Sequence, residues 1–256
     1  MTLKHGDFTK LAEDYAQYRP GYAPFVLDAF LGLMSEAPET LQGVDIGAGT
    51  GIWTRMLAQR GVIMSAVEPN DAMRAEGIRQ NGDHTINWHA GSAETTTLPD
   101  ASFDFICMAS SFHWTDFDRA VTEFNRILKP GGLFMALWNT RRYESNPLLV
   151  RIEDHLKGLV PDMKRISSGR SEFCDTLLNR LGKCHVFTDA MYLEGRHTEL
   201  QSPEHYIGLW RSVNDVRVQA GEKRFDAFIN YIRSQTAMLQ HIEAEYITRA
   251  WIARKG

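Results

Sequence analysis

The residues best suited to do chemistry lie in the run Val44-Asp45-Ile46-Gly47-Ala48-Gly49-Thr50-Gly51. Glycines in such a turn accept backbone conformations that other residues resist, and they let a ligand lie against the main chain. Placed between a strand and a helix, the turn reads as a nucleotide- or nucleoside-binding loop. A nicotinamide dinucleotide site asks for G-x-G-x-x-G. Counted from Gly47, the third glycine of that motif belongs at Ile52, but it comes one residue early, at Gly51. Asp45 also stands where the dinucleotide motif is usually apolar. Both departures point to another nucleoside ligand. At about 20 residues beyond the turn, the spacing at which a carboxylate accepts hydrogen bonds from ribose hydroxyls, comes Val67-Glu68-Pro69. A solvated turn residue is the plainer reading of Glu68, and the spacing favours the ribose role.

These residues need a sheet to hold them. Helical spacing of apolar residues is read over Leu11–Tyr18, stopped by Arg19-Pro20-Gly21, and over Pro24–Met34. Strands are read at Gly43–Ile46, Val62–Val67, Phe103–Ala109 and Leu133–Trp138. Helices are read at Ile52–Gln59, Asp71–Gln80 and Phe117–Leu128, the last ended by Lys129-Pro130-Gly131-Gly132. This alternation implies a parallel sheet with helices on both faces. After Asn139 the rhythm changes. Residues 140–170 are mixed and polar, with two short helical stretches at most. A helix follows at Ser171–Leu181, capped by Gly182, and a strand at Val186–Leu193. Ser202–Ala220 and Phe225–Leu239 read as helices, and Glu243–Ala253 as a final strand. The expectation is one domain over 1–256, with 140–170 and 200–240 as cap insertions above the sheet's carboxyl edge.

Composition narrows the function. The 256 residues are 43% hydrophobic and 23% charged, with a formal net charge of −4, which is ordinary for a soluble globular chain. Nucleic-acid binding rests on basic surface, and none is demanded here. No apolar run is long enough to span a bilayer. The opening MTLKHGDFTK lacks the apolar core of a signal peptide, so a cytoplasmic enzyme is expected. Cys107, Cys174 and Cys184 show no metal-ligand spacing, so free thiols and no metal are expected.

Four separated motifs, Asp45-Ile46-Gly47-Ala48-Gly49-Thr50-Gly51, Glu68-Pro69, Phe103-Asp104-Phe105-Ile106 and Leu128-Lys129-Pro130-Gly131-Gly132, occur in that order across roughly residues 40–140. Together they resemble the class I S-adenosylmethionine-dependent methyltransferase family. Phe8, Tyr15, Arg19, Pro20 and His113-Trp114 resemble its small-molecule branch, which includes trans-aconitate-type enzymes. The resemblance implies a doubly wound, Rossmann-like, seven-stranded α/β sheet with helical cap insertions. It also implies S-adenosyl-L-methionine as cofactor and a small-molecule acceptor.

Residue by residue, the resemblance sets Gly47, Ala48 and Gly49 against the methionine part of the cofactor. Asp45 would orient the loop and reach the amino group, directly or through water. Glu68 would hold the ribose, with Pro69 and Met73 flanking the adenine. Ser92, where the family often has Asp, weakens an adenine contact, although Ala93 still offers its backbone N–H. Ala109 would present its carbonyl near the amino group. Tyr15 and Arg19 would close over the cofactor, Arg19 facing its carboxylate; the alternative for both is a solvated helix face. Trp53 and Trp114 read equally as packing residues and as cofactor contacts. His113 is a candidate general base, with packing or a lid role as its alternative. Asn139, at the carboxyl end of the fifth strand, is a candidate for the reacting centre or a cap that closes its turn. Arg141, Arg142 and Arg170 are candidates for binding an acidic substrate.

Two other functions stay open at this stage. One is a cyclase on the same scaffold, closing the aminocarboxypropyl arm to azetidine-2-carboxylate and leaving methylthioadenosine. The other is a non-catalytic binding module. The acceptor and the oligomeric state are not written in the sequence.

Overall fold

The computed structural model describes residues 9–164 and 169–256; Phe8 lies outside them. Seven strands form one sheet: β1 (Gln42–Ile46), β2 (Ile63–Val67), β3 (Ile86–His89), β4 (Phe103–Ala109), β5 (Leu128–Arg141), β6 (Phe187–Gln201) and β7 (Ile242–Lys255). Their order is β3-β2-β1-β4-β5-β7-β6. The first five are parallel, and β7 runs antiparallel between β5 and β6. The strand order reverses between β1 and β4, which opens a crevice at their carboxyl ends.

Strand periodicity builds a core on each face. On β4, Phe105 and Cys107 point to one side, where α2 (Pro24–Leu31) and α3 (Ile52–Ala58) contribute Leu27, Phe30, Trp53 and Leu57. Ile106 and Met108 point to the other, where Phe124 of α5 (Phe117–Ile127) and Leu177 of α7 (Glu172–Lys183) pack. A third core lies apart from both. It joins Ile152 and Leu156 of α6 (Pro147–Leu159), Tyr206 and Trp210 of α8 (Pro203–Arg211), and Phe228 of α10 (Glu222–Thr236) to the start of β7. Helices from both segments read as cap insertions therefore share one apolar interior. Among the described residues, no helix is long and apolar enough to cross a membrane.

Several element boundaries differ from the sequence reading. Lys129-Pro130-Gly131-Gly132 does not lie between helix and strand, because β5 begins at Leu128, directly after α5. The pairing with β4 slips between Phe103 and Phe105, and this irregularity absorbs the proline and glycines. Gly182 lies inside α7, which runs on to Lys183. The helix expected over Ser202–Ala220 is two, α8 and α9 (Asn214–Ala220), broken at Ser212–Val213. Residues 140–170 hold a helix of 13 residues, α6, rather than only short stretches; Asn146 caps it by accepting from Leu148 N–H. β6 extends to Gln201 because β7 pairs with it along almost its whole length, a partner no local pattern reveals.

Candidate ligand-binding site

The glycine turn sits where the sequence reading placed it, between β1 and α3. Gly47 and Ala48 both donate their N–H to the Val67 carbonyl, at 2.8 and 3.1 Å, which ties the turn to the end of β2. Gly47 and Gly49 have φ of +66° and +58°, in the left-handed region that favours glycine. Their surroundings differ. A Cβ at Gly47 would stand 2.7 Å from Ser111 Cβ, whereas one at Gly49 would meet only Met73 Cε, at 3.4 Å. Gly47 is thus required for close passage of the loop after β4. Gly49 borders open space.

Glu68 fixes that arrangement. One carboxylate oxygen accepts Gly49 N–H and the other Asn70 N–H, both at 2.8 Å. Burial raises its pKa, and these two N–H groups oppose the rise. Asn70 then caps α4 (Asp71–Arg79) by accepting from the N–H groups of Ala72 and Met73. The same carboxylate therefore orders the glycine turn and the start of the next helix.

Around this turn lies a cavity of about 310 Å³, within the size range of small-ligand sites. Of the residues singled out in the sequence, Tyr15, Arg19, Gly47, Ala48, Gly49, Glu68, Pro69, Met73, Ser92, Ala93, Ala109 and Asn139 line it, as do Trp53 and Trp114. The carboxyl ends of β1, β2, β4 and β5 and the turn after β3 converge there. Ser92 and Thr95 exchange backbone hydrogen bonds, forming a tight loop that sets Ala93 in the wall.

Asp45 and His113 do not line the cavity. Asp45 is fully buried beneath the turn, where it accepts the Thr54 hydroxyl at 2.6 Å. This bond orders the underside of the loop. His113 is enclosed by Trp114, Trp138 and Phe173. Its Nδ1 accepts Trp138 Nε1–H at 3.3 Å, and burial lowers its pKa to about 4. This packing speaks against a general-base role, since Nε2 is buried and His113 does not line the cavity.

Asn139 and Arg19 are held by the protein itself. Asn139 donates to the Gly21 carbonyl at 2.8 Å and accepts from Thr248, whose hydroxyl in turn accepts Ala23 N–H. Asn139 thus ties the α1–α2 connection to β5 and β7, α1 being Ala12–Tyr18. Arg19 packs over the Tyr15 ring and donates twice to Ser212, to its hydroxyl and its carbonyl, at 2.9 and 3.0 Å. It latches α1 to the α8–α9 break. Residues absent from the sequence reading also line the cavity: Tyr22, Ser110, Ser111, Asn214 and Asp215. Ser110 and Ser111 directly follow Ala109, and the rule that ligands sit at carboxyl strand ends would have found them. Asn214 and Asp215 carry no local signal, because the α8–α9 break delivers them.

The Asp45 carboxyl gives the site a pH signature. Burial raises its pKa from 3.8 to about 7, opposed by the Thr54 hydrogen bond. Between those values the folded state binds more protons at this group than the unfolded chain, so its contribution makes stability fall as pH rises. Over the whole window the loss is roughly 4 kcal/mol. Buried His113, lowered to about 4, contributes in the opposite sense up to its ordinary value, so the Asp45 component is read as a difference: denaturant midpoints measured from pH 4 to 8 should slope further downward in the wild type than in Asp45→Asn. An unchanged slope in the variant would rule out Asp45 as its source.

The fold agrees with what is found in known proteins. Residues 44–136 match the family model described as a methyltransferase domain. A candidate type II methyltransferase from Anaeromyxobacter dehalogenans superposes with a TM-score of 0.67 at 24% identity, over 92% of this chain and 98% of that one. The fold is therefore that of the class I methyltransferases. An uncharacterized methyltransferase of Mycobacterium tuberculosis is 36% identical over 127 residues, 50% of this chain and 49% of the relative. A ubiquinone/menaquinone biosynthesis C-methyltransferase of Rubrivivax gelatinosus is 36% identical over 95 residues, 37% of this chain and 38% of the relative. The chain spans at most about half the length of these curated relatives.

Proposed function

We propose that the protein is an S-adenosylmethionine-dependent methyltransferase acting on a small molecule. One observation carries the reading: the glycine turn, Glu68, Ala93 and Ala109, from different strand ends, line a single cavity. The residues present fit the cofactor. Gly49 leaves a cradle that a side chain would fill, and the Glu68 carboxylate, fixed by two N–H groups, keeps lone pairs for ribose hydroxyls. A Haemonchus contortus phosphoethanolamine N-methyltransferase of similar fold, TM-score 0.53 at 15% identity over 96% of this chain and 57% of that one, was solved with S-adenosylhomocysteine.

When bound, S-adenosylmethionine supplies a methyl group activated on sulfonium. The chain's own task is to bind and orient two molecules and to exclude water. Gly47–Gly49 and Ala109 border the methionine end, Glu68 takes the ribose, and Pro69 and Met73 flank the base. Tyr15, Arg19 and Trp114 close the opening. Asn139 shapes the wall between cofactor and acceptor by holding the α1–α2 connection. Tyr15, Arg19 and Trp114 are also among the residues that resemble the trans-aconitate-type branch. Three free cysteines, two of them buried, suit the reducing conditions of a cytoplasmic enzyme.

The test is product identity. Incubated with S-adenosylmethionine and a metabolite extract, the protein should release S-adenosylhomocysteine, and only when extract is present. Protein-dependent methylthioadenosine from the cofactor alone would overturn methyl transfer.

A further inference from the structure

A second cavity, of about 290 Å³, adjoins the first, and Arg19, Asn139 and Asp215 line both. We infer that it binds a small hydroxy- or amino-carboxylate, with the carboxylate on Arg141 and the hydroxyl or amine on Asp215 at the seam. As an acceptor site it rests on the cofactor reading of the first cavity.

Arg141 lines only the second cavity. Its guanidinium lies 4.2 Å from the centre of the Trp210 ring and donates to the Tyr206 hydroxyl at 2.8 Å. Both partners are neutral. Its Nε is buried without a hydrogen-bond partner, and none of the ion pairs among the described residues includes Arg141. The guanidinium is half-buried; the buried Glu153 carboxylate in the same wall offsets part of its charge, and its planar fork, with Nε unbonded, matches a carboxylate. Other cations in or near this wall are engaged differently. Arg170 pairs with Glu144 and Lys157 with Asp154. Arg142 pairs with Glu245 and does not line the cavity.

Asp215 supplies the second point of recognition. It is 7% exposed, and its Oδ1 is buried with no partner. A buried carboxylate oxygen of this kind calls for a donor. Because Asp215 borders both cavities, a protic group bonded to it stands at the junction where an acceptor meets the cofactor. The carboxylate, held by Arg141, stands away from that junction. The methylated atom is then the hydroxyl oxygen or amine nitrogen, not the carboxylate: its lone pair forms the bond to the methyl carbon as the S–CH3 bond breaks to leave a neutral thioether, and its proton passes to the Asp215 carboxylate.

The experiment is calorimetry on the full chain saturated with S-adenosylhomocysteine. The probes are 4-hydroxybenzoate and 3-hydroxybutyrate, each set against its neutral counterpart, 4-hydroxybenzyl alcohol and 1,3-butanediol. At least one acid should bind saturably and tenfold or more tightly than its counterpart. Arg141→Gln should erase that preference, and Asp215→Asn should weaken the hydroxy acid about tenfold while sparing its deoxy analogue. Binding by neither acid, equal binding of the neutral counterparts, or full affinity in Arg141→Gln would overturn the inference. Should Arg141→Gln fail to fold, the wild-type comparison of acid with alcohol decides alone. S-adenosylhomocysteine binding is measured first and separately. Its absence sinks the cofactor reading, whereas its presence without acid binding sinks only this one.

Discussion

Gly49→Leu is expected to abolish S-adenosylhomocysteine binding in a protein that still folds. The residue sits at φ +58°, so any side chain there costs about 1–2 kcal/mol of backbone strain. The strain falls on a turn anchored by Glu68 and the Val67 carbonyl, and a folded domain tolerates it. An added Cβ meets nothing closer than Met73 Cε at 3.4 Å. The Cβ therefore clashes with no backbone, and the rest of the leucine is expected to occupy the cavity that the ligand needs. Affinity should fall by at least about a thousandfold, some 4 kcal/mol. Gly47→Ala supplies the contrast. Its Cβ would lie 2.7 Å from Ser111 Cβ, so it should lower the melting temperature first. Calorimetry with thermal melts of both variants checks the pair. Wild-type affinity in a folded Gly49→Leu protein would remove the turn from the site.

Glu68→Ala has the next largest expected effect. A strand-end carboxylate alone contributes little to a core, but this one accepts two backbone N–H groups at 2.8 Å. Hydrogen bonds to a charged group are worth about 1.5–3 kcal/mol each. Alanine would strip the ribose partner and leave the Gly49 N–H without its acceptor, so binding and loop order fall together. Affinity for S-adenosylhomocysteine should drop at least about a hundredfold, and the melting temperature should drop as well. Glu68→Gln should lie between, because its amide oxygen still accepts one N–H while its NH2 opposes the other. Ligand affinity unchanged in Glu68→Ala, with only stability lost, would reduce Glu68 to a structural brace.

The part of the site built from strand ends was legible because it is local. A run of apolar residues, a glycine turn and a carboxylate follow one another in the chain, and parallel strands deliver their ends to one edge. Gly47, Ala48, Gly49, Glu68, Pro69, Met73, Ala93 and Ala109 all follow that logic, and all line the cavity. Asp45 and His113 broke it because spacing places a residue near an edge without telling which face its side chain takes. Asp45 sits in β1 and turns beneath the loop to Thr54. His113 follows β4 and turns back among aromatic rings.

The sequence by itself determined the alternation of strands and helices and the glycine turn, since both arise from periodicities of two and 3.6 and from glycine's freedom. It also determined the acidic partner at the end of β2. Only the tertiary structure decided where β7 inserts, how far β6 runs, and that Ser212 breaks the helix read over Ser202–Ala220. It also decided what that break brings in: Ser212 to hold Arg19, and Asp215 to the seam between two cavities. These outcomes depend on contacts between residues far apart in the chain, such as Arg19 with Ser212, and no local pattern of side chains encodes a partner at that distance.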